Sequence, residues 1–205
     1  LRERLPGLAR VGAYANGRSI LAKSREQLAQ LRALKLHTLY LGLESGDEAV
    51  LREVHKGETA AGMVEAVQRA QAAGLRLSVM VLLGLAGPER SRAHAQATAA
   101  ALNRMQPRLF SALRVIPVPG TALYRQVQQG AFRPLTEFEA VAELRCLIEH
   151  LELDGTVFRA NHSSNVVPLE GRLSRDQAAL LAALDRLLAS GALDAATPGP
   201  PPLWL

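Results

Sequence analysis

With 205 residues and a formal net charge of +5, the chain is long enough for one domain with a buried core, and no apolar run approaches the roughly 20 residues needed to span a bilayer. The single cysteine, Cys146, excludes an internal disulfide framework and any cysteine-only metal cage built from this chain alone. Aromatic residues make up only 4% and the arginines are dispersed among glutamates, which argues against a nucleic-acid partner.

The opening Leu1-Arg-Glu-Arg-Leu-Pro-Gly7 has neither the apolar core nor the cleavage site of a signal peptide, and the expected compartment is the cytoplasm. Residues 9–14 read as a strand followed by an Asn16-Gly17 turn. Ser24 with Gln27 forms a capping-box pattern ahead of a helix whose stripe is Leu28, Leu31 and Leu34. A strand over residues 38–43 runs into Glu44-Ser-Gly-Asp47. A short helix then turns Val50, Leu51 and Val54 inward and stops at Lys56-Gly57. Thr59 caps a longer helix with Met63, Val64, Val67 and Ala70 on one face, ending at Gly74.

The apolar run 76–83 reads as a buried strand that ends in a glycine-bearing turn, residues 84–89, and a helix follows to Met105. Residues 109–116 form a fourth strand, stopped by Pro117-Val-Pro-Gly-Thr121. Helices are expected over 122–129, 135–153 and 174–189, with a fifth strand over 156–160. Cys146 lies at core-like helical spacing and is expected to be a buried thiol, while His37, His55, His94 and His150 lack metal-ligand spacing and read as surface residues.

Regular alternation of strand and helix predicts an α/β fold with a mainly parallel sheet. Five strands do not close an eight-stranded barrel. They fit an open doubly wound sheet or the later part of an incomplete barrel, and the absent initiating Met and abrupt start favour the barrel with its first strands missing. The expected divisions are a core over residues 1–130, a helix–strand–helix extension over 131–194 packed on it, and a loose Pro-rich tail over 195–205. The first strand is then an unpaired edge that invites self-association. Ligands of such sheets bind where strands end, which places Glu44 and the turn 84–89 at the site.

These motifs, Leu41-Gly-Leu-Glu-Ser-Gly-Asp47 with Lys56-Gly57, then Leu83-Gly-Leu-Ala-Gly-Pro-Glu89, Ile116-Pro-Val-Pro-Gly-Thr-Ala-Leu-Tyr124 and Phe158-Arg-Ala-Asn-His-Ser-Ser-Asn165, together resemble the radical S-adenosylmethionine superfamily. The resemblance implies a partial (β/α)6 TIM-like barrel with a C-terminal strand–helix extension, and S-adenosylmethionine as cofactor. It implies an enzyme that cleaves that cofactor reductively to a 5′-deoxyadenosyl radical, which abstracts hydrogen from a substrate the sequence does not identify. The implied cofactor contacts are Glu44 and Ser45, Gly84 and Gly87, and backbone at Val115, Pro117 and Val118. Asn16, Asn161 and His162 are substrate-side candidates.

Each has a plainer alternative: Glu44 as the cap of the helix that starts near Asp47, the glycines as turn formers, Asn16 as a turn residue, and Asn161 with His162 as a polar loop. The family's Cys-x3-Cys-x2-Cys loop, which holds a 4Fe-4S cluster, is absent, so the sequence offers no catalytic residue and no metal ligand. Either upstream units carry that loop, or the chain is a non-catalytic module that binds a nucleotide-like ligand or a partner protein.

Overall fold

The computed structural model describes residues 4, 5 and 7–199. In chain order the elements are β1 (Val11–Tyr14), α1 (Gly17–Leu21), α2 (Arg25–Ala33), β2 (Leu36–Glu44), α3 (Glu48–Glu53), α4 (Ala60–Ala72), β3 (Arg76–Leu83), α5 (Ser91–Met105), β4 (Leu109–Arg114), α6 (Ala122–Gln128), α7 (Glu137–Glu149), β5 (Thr156–Arg159), β6 (Glu170–Leu173) and α8 (Gln177–Ala189). The six strands form one sheet in the order β1-β2-β3-β4-β5-β6. Neighbours from β1 to β5 are parallel, and β6 closes antiparallel on β5.

Spatial order equals chain order, so the sheet has no switch point and is not doubly wound. It winds one way, with helices against one face. Alternate residues of β3, Leu77, Val79, Val81 and Leu83, share a single core with Met63 and Val67 of α4, Leu102 of α5 and Leu144 of α7. On the other face Tyr14 is 84% exposed, and its ring lies 5.5 Å from that of Tyr40. This is an α/β fold arranged as part of a TIM-like barrel, with β1 at one edge. Among the described residues no helix is long and apolar enough to cross a membrane.

Local chemistry sets the helix starts. Ser24 Oγ accepts the Gln27 N–H and Gln27 Oε1 accepts the Ser24 N–H, closing the expected capping box. Asn16-Gly17 is not a free turn. Asn16 Oδ1 accepts the Ser19 N–H at 2.8 Å and begins α1, because Ser19 three residues on completes a second box. Helix ends correct two apolar expectations: Leu34 and Val54 are the C-caps of α2 and α3, where the chain turns away from the core, and both side chains are exposed.

Four further expectations are corrected. β6 has no apolar run to announce it and owes its pairing to β5. His94 is buried, 2% exposed, because an acidic residue of α7 meets it. Cys146 is only partly buried, and that burial raises its thiol pKa. The tail is tied down as far as residue 198. The first N–H groups of α7 need acceptors, and Asp194 O accepts from Phe138 and Thr197 O from Glu137, both at 3.1 Å. Residues 200–205 of that tail lie outside the described residues.

Candidate functional site

The carboxyl ends of β2, β3 and β4 hold the candidate residues Glu44, Gly84, Gly87 and Val115. At the end of β2 the register shifts between Gly42 and Glu44, and Glu44 adopts a left-handed φ of 61°. Its side chain folds back over Gly42, where an added Cβ would stand 3.0 Å from Glu44 Cδ and 3.3 Å from Lys56 Nζ. Bare glycine is what leaves this seat open. Glu44 Oε1 accepts from Lys56 Nζ at 3.0 Å, and the two side chains are 25% and 21% exposed.

Lys56 reaches the strand end because α3 is short and the chain reverses through left-handed His55 and Gly57. Its local pattern reads as a helix end, and the motif that includes Lys56-Gly57 gives it no role of its own. Its position twelve residues after Glu44, across a single short helix, is the signal that pairs them. Glu44 does not cap α3. Asp47 does, with Oδ1 accepting the N–H groups of Ala49 at 2.7 Å and Val50 at 3.2 Å.

Ser45 is fully buried, and its Oγ accepts the Asp47 N–H at 2.9 Å, so it shapes the turn. The next residue, Gly46, lies directly on α5 and donates its N–H to Thr98 Oγ1 at 3.0 Å.

At the end of β3, Gly84 and Gly87 take φ values of 81° and 70°, where a side chain is strained, and Gly87 N–H donates to Gly84 O at 3.2 Å. The Gly84 N–H donates to Glu143 Oε1 of α7 at 2.6 Å. Glu143 is buried and also accepts from the Ser91 hydroxyl, while His94 Nδ1 lies 3.2 Å from its Oε1. No local pattern announces this carboxyl group, since its partners lie 49 to 59 residues away.

At the end of β4, Val115 N–H donates to Leu83 O, and Val115 and Pro117 join Gly84, Tyr124 and Leu135 around a mainly apolar cavity of about 230 Å³. Val118 is exposed and outside that lining. Gly87 faces a neighbouring cleft of about 440 Å³ with Glu89, Arg90 and Phe132. Val50, Leu85 and Ala86, with Leu82 and Val115, form a small apolar cluster that joins α3 to the β3 and β4 ends. Arg114 also borders the cavity. Burial lowers its pKa, and its Nε and Nη1 donate to Ser164 O at 2.8 Å and Pro198 O at 2.5 Å.

Asn16 is committed to capping α1. Asn161 Nδ2 donates to Glu170 Oε2 at 3.4 Å and His162 Nδ1 accepts the Ser164 N–H at 3.1 Å; both residues are exposed after β5 and line neither hollow. A wider hollow of about 630 Å³ opens between α1, α3 and α4, but it holds none of these candidates and lies beside helices rather than at the β3 and β4 ends. The strand ends are the candidate site: the β2 end carries an ion pair, and the β3 and β4 ends carry positive-φ glycines and an apolar cavity.

Residues 1–97 match the family model of the Radical SAM superfamily. The chain is similar in structure to the archaeal Methanocaldococcus infernus Elp3 with an N-terminal deletion, with 15% identity over 91% of this chain and 43% of that one and a TM-score of 0.60. It is similar to methylornithine synthase (PylB), with 20% identity over 75% of this chain and 42% of that one and a TM-score of 0.51. The chain thus spans less than half the length of either structure. No curated protein matches the sequence. The motifs and the family match agree, and the likeness in structure is a likeness of fold.

Proposed function

We propose that this chain, a radical SAM superfamily protein by its match over residues 1–97, contributes the S-adenosylmethionine-binding strand ends of an enzyme. The observation that carries the reading is the Glu44–Lys56 pair, opposite charges 3.0 Å apart in a seat that Gly42 leaves open. An amino-acid end carries both an ammonium and a carboxylate. Glu44 would take the ammonium and Lys56 the carboxylate, so the ligand exchanges one ion pair for two. The adenosyl end suits the apolar cavity at Gly84, Val115 and Pro117. Gly84 borders that cavity and Gly87 the neighbouring cleft, both without a side chain to block approach, and Ser45 keeps the β2 turn in shape.

When bound at a reduced 4Fe-4S cluster, S-adenosylmethionine supplies a 5′-deoxyadenosyl radical that abstracts hydrogen from a substrate. The residues of this chain do not fit that cluster, because one cysteine stands where three thiolates from one loop are needed. The thiolates would come from a segment outside these residues, and the chain alone would be inactive. Residues 1–130 would form the cofactor-binding core and 131–194 the extension. Asn161 and His162 remain the substrate-side candidates, since Asn16 already serves a helix.

Calorimetric titration of S-adenosylmethionine tests the assignment in the cluster-loaded protein, meaning this chain joined to the segment that supplies the three thiolates. Glu44→Gln keeps the shape and removes the charge, and affinity should fall about ten- to a hundredfold. The melt should hardly move, since Asp47 rather than Glu44 caps α3. Unchanged affinity would take Glu44 out of the site.

A further inference from the structure

We propose that Glu143 is a positioning residue for this site: from α7, its carboxyl group holds the Gly84 N–H and so fixes the glycine turn after β3. The inference rests on the reading of the strand ends given above. Glu143 sits among the buried apolar residues of α7, with Ala140, Val141, Leu144 and Leu147 around it, and its side chain is 0% exposed. An apolar residue there would bury at no polar cost, whereas a carboxyl group needs several donors.

Its donors come from both ends of one turn. Gly84 opens that turn and Ser91, with His94 a helical turn on, closes it at the start of α5. The Leu83 carbonyl next to Gly84 is engaged by Val115 N–H, and the Gly84 carbonyl by Gly87 N–H. Without Glu143 the Gly84 amide would lose its 2.6 Å acceptor in a cramped place, where a Cβ would stand 3.2 Å from Leu135 Cγ. A turn held this way keeps one wall of the cavity in place. The extension thereby sets the geometry of the core's site.

The test uses the full cluster-loaded protein, hydrogen exchange at the Gly84 amide and calorimetric titration with S-adenosylmethionine. Glu143→Met removes the acceptor, and both Gly84 protection and cofactor affinity should fall about tenfold or more. Should that variant not fold, Glu143→Asp, which keeps a carboxyl group but shortens the reach, takes its place with the same losses expected. Glu143→Gln retains an acceptor for Gly84 and should bring both readouts back to within about threefold of wild type. Ser91→Ala drops a partner without touching the turn amide, so it should lower the melt and leave both readouts in place.

Unchanged protection and affinity in the acceptor-less variant would overturn the inference alone. Losses in Ser91→Ala that match those of Glu143→Met would overturn it as well, by showing a general effect of stability. A wild-type protein that binds no S-adenosylmethionine removes the site itself and the positioning role with it.

Discussion

At the end of β2, Glu44 and Lys56 are twelve residues apart, joined by one short helix, and both side chains keep about a quarter of their surface in water. At the end of β3, Gly84 and its acceptor Glu143 are 59 residues apart and both buried. A part-buried pair that water still reaches can trade partners with a charged ligand at lower cost than a fully buried one, since water already competes for it. A buried carboxyl group with three donors cannot, because breaking any of its contacts strands a polar group. The difference separates a part suited to exchange from a part suited to hold shape.

The largest expected effect comes from the one piece of the β2 end that is built like the β3 end. A Cβ on Gly46 would stand 2.5 Å from the Ala97 carbonyl carbon and 2.6 Å from Thr98 Cα, backbone atoms that have no room to yield. Gly46→Ala should cost roughly 3 kcal/mol by urea denaturation, the upper end of ordinary overpacking. A loss below about 0.5 kcal/mol, the level of a neutral surface change, would show that α5 can slide and that the β2 end is soft throughout.

Gly42→Ala sharpens the contrast from the other side. The new methyl meets the flexible Glu44 carboxylate rather than backbone. Stability should change by less than about 1 kcal/mol, while affinity for S-adenosylmethionine falls about tenfold as Glu44 is pushed off its seat. Equal affinity in the two proteins would mean that the position of Glu44 does not matter.

What could be read from the sequence follows the same division. Ser24 with Gln27, and Thr59, announce their helices because a cap and its partner lie within three residues. The bounds of β3 are legible because a continuous apolar run ends at a glycine. β6 is not, since Glu170-Gly-Arg-Leu173 carries a pairing signal only when β5 is beside it. His94 looks like any exposed histidine until Glu143 arrives from α7, and Lys56 looks like a helix end until α3 folds it back onto Glu44. Asn16-Gly17 carries two local signals, and the box with Ser19 prevails over the turn.

A smaller effect tests an exposed device outside both strand ends. Asp176 accepts from Arg175 Nε at 2.6 Å and from the Arg172 N–H at 2.7 Å, and these bonds hold its carboxyl pKa down to about 2. A depressed carboxyl pKa stabilises the fold above its unfolded value near 3.8, and that contribution is lost as pH falls through about 2. Carbon NMR should place the Asp176 inflection near 2 in the folded protein. An inflection near 3.8 would show that the arginine contact is not kept in solution.

The central claim is that Lys56 and Glu44 receive the two charges of an amino-acid end, and pairing a change in the ligand with a change in the protein tests it most directly. The cluster-loaded wild type and Lys56→Met are each titrated with S-adenosylmethionine and with its decarboxylated analogue. Wild type should prefer the carboxylate-bearing ligand by about tenfold or more, the worth of one charged hydrogen bond, and Lys56→Met should bind the two within about threefold of each other. A preference of the same size in both proteins would contradict the account, because the carboxylate would then be held somewhere other than at the end of β2.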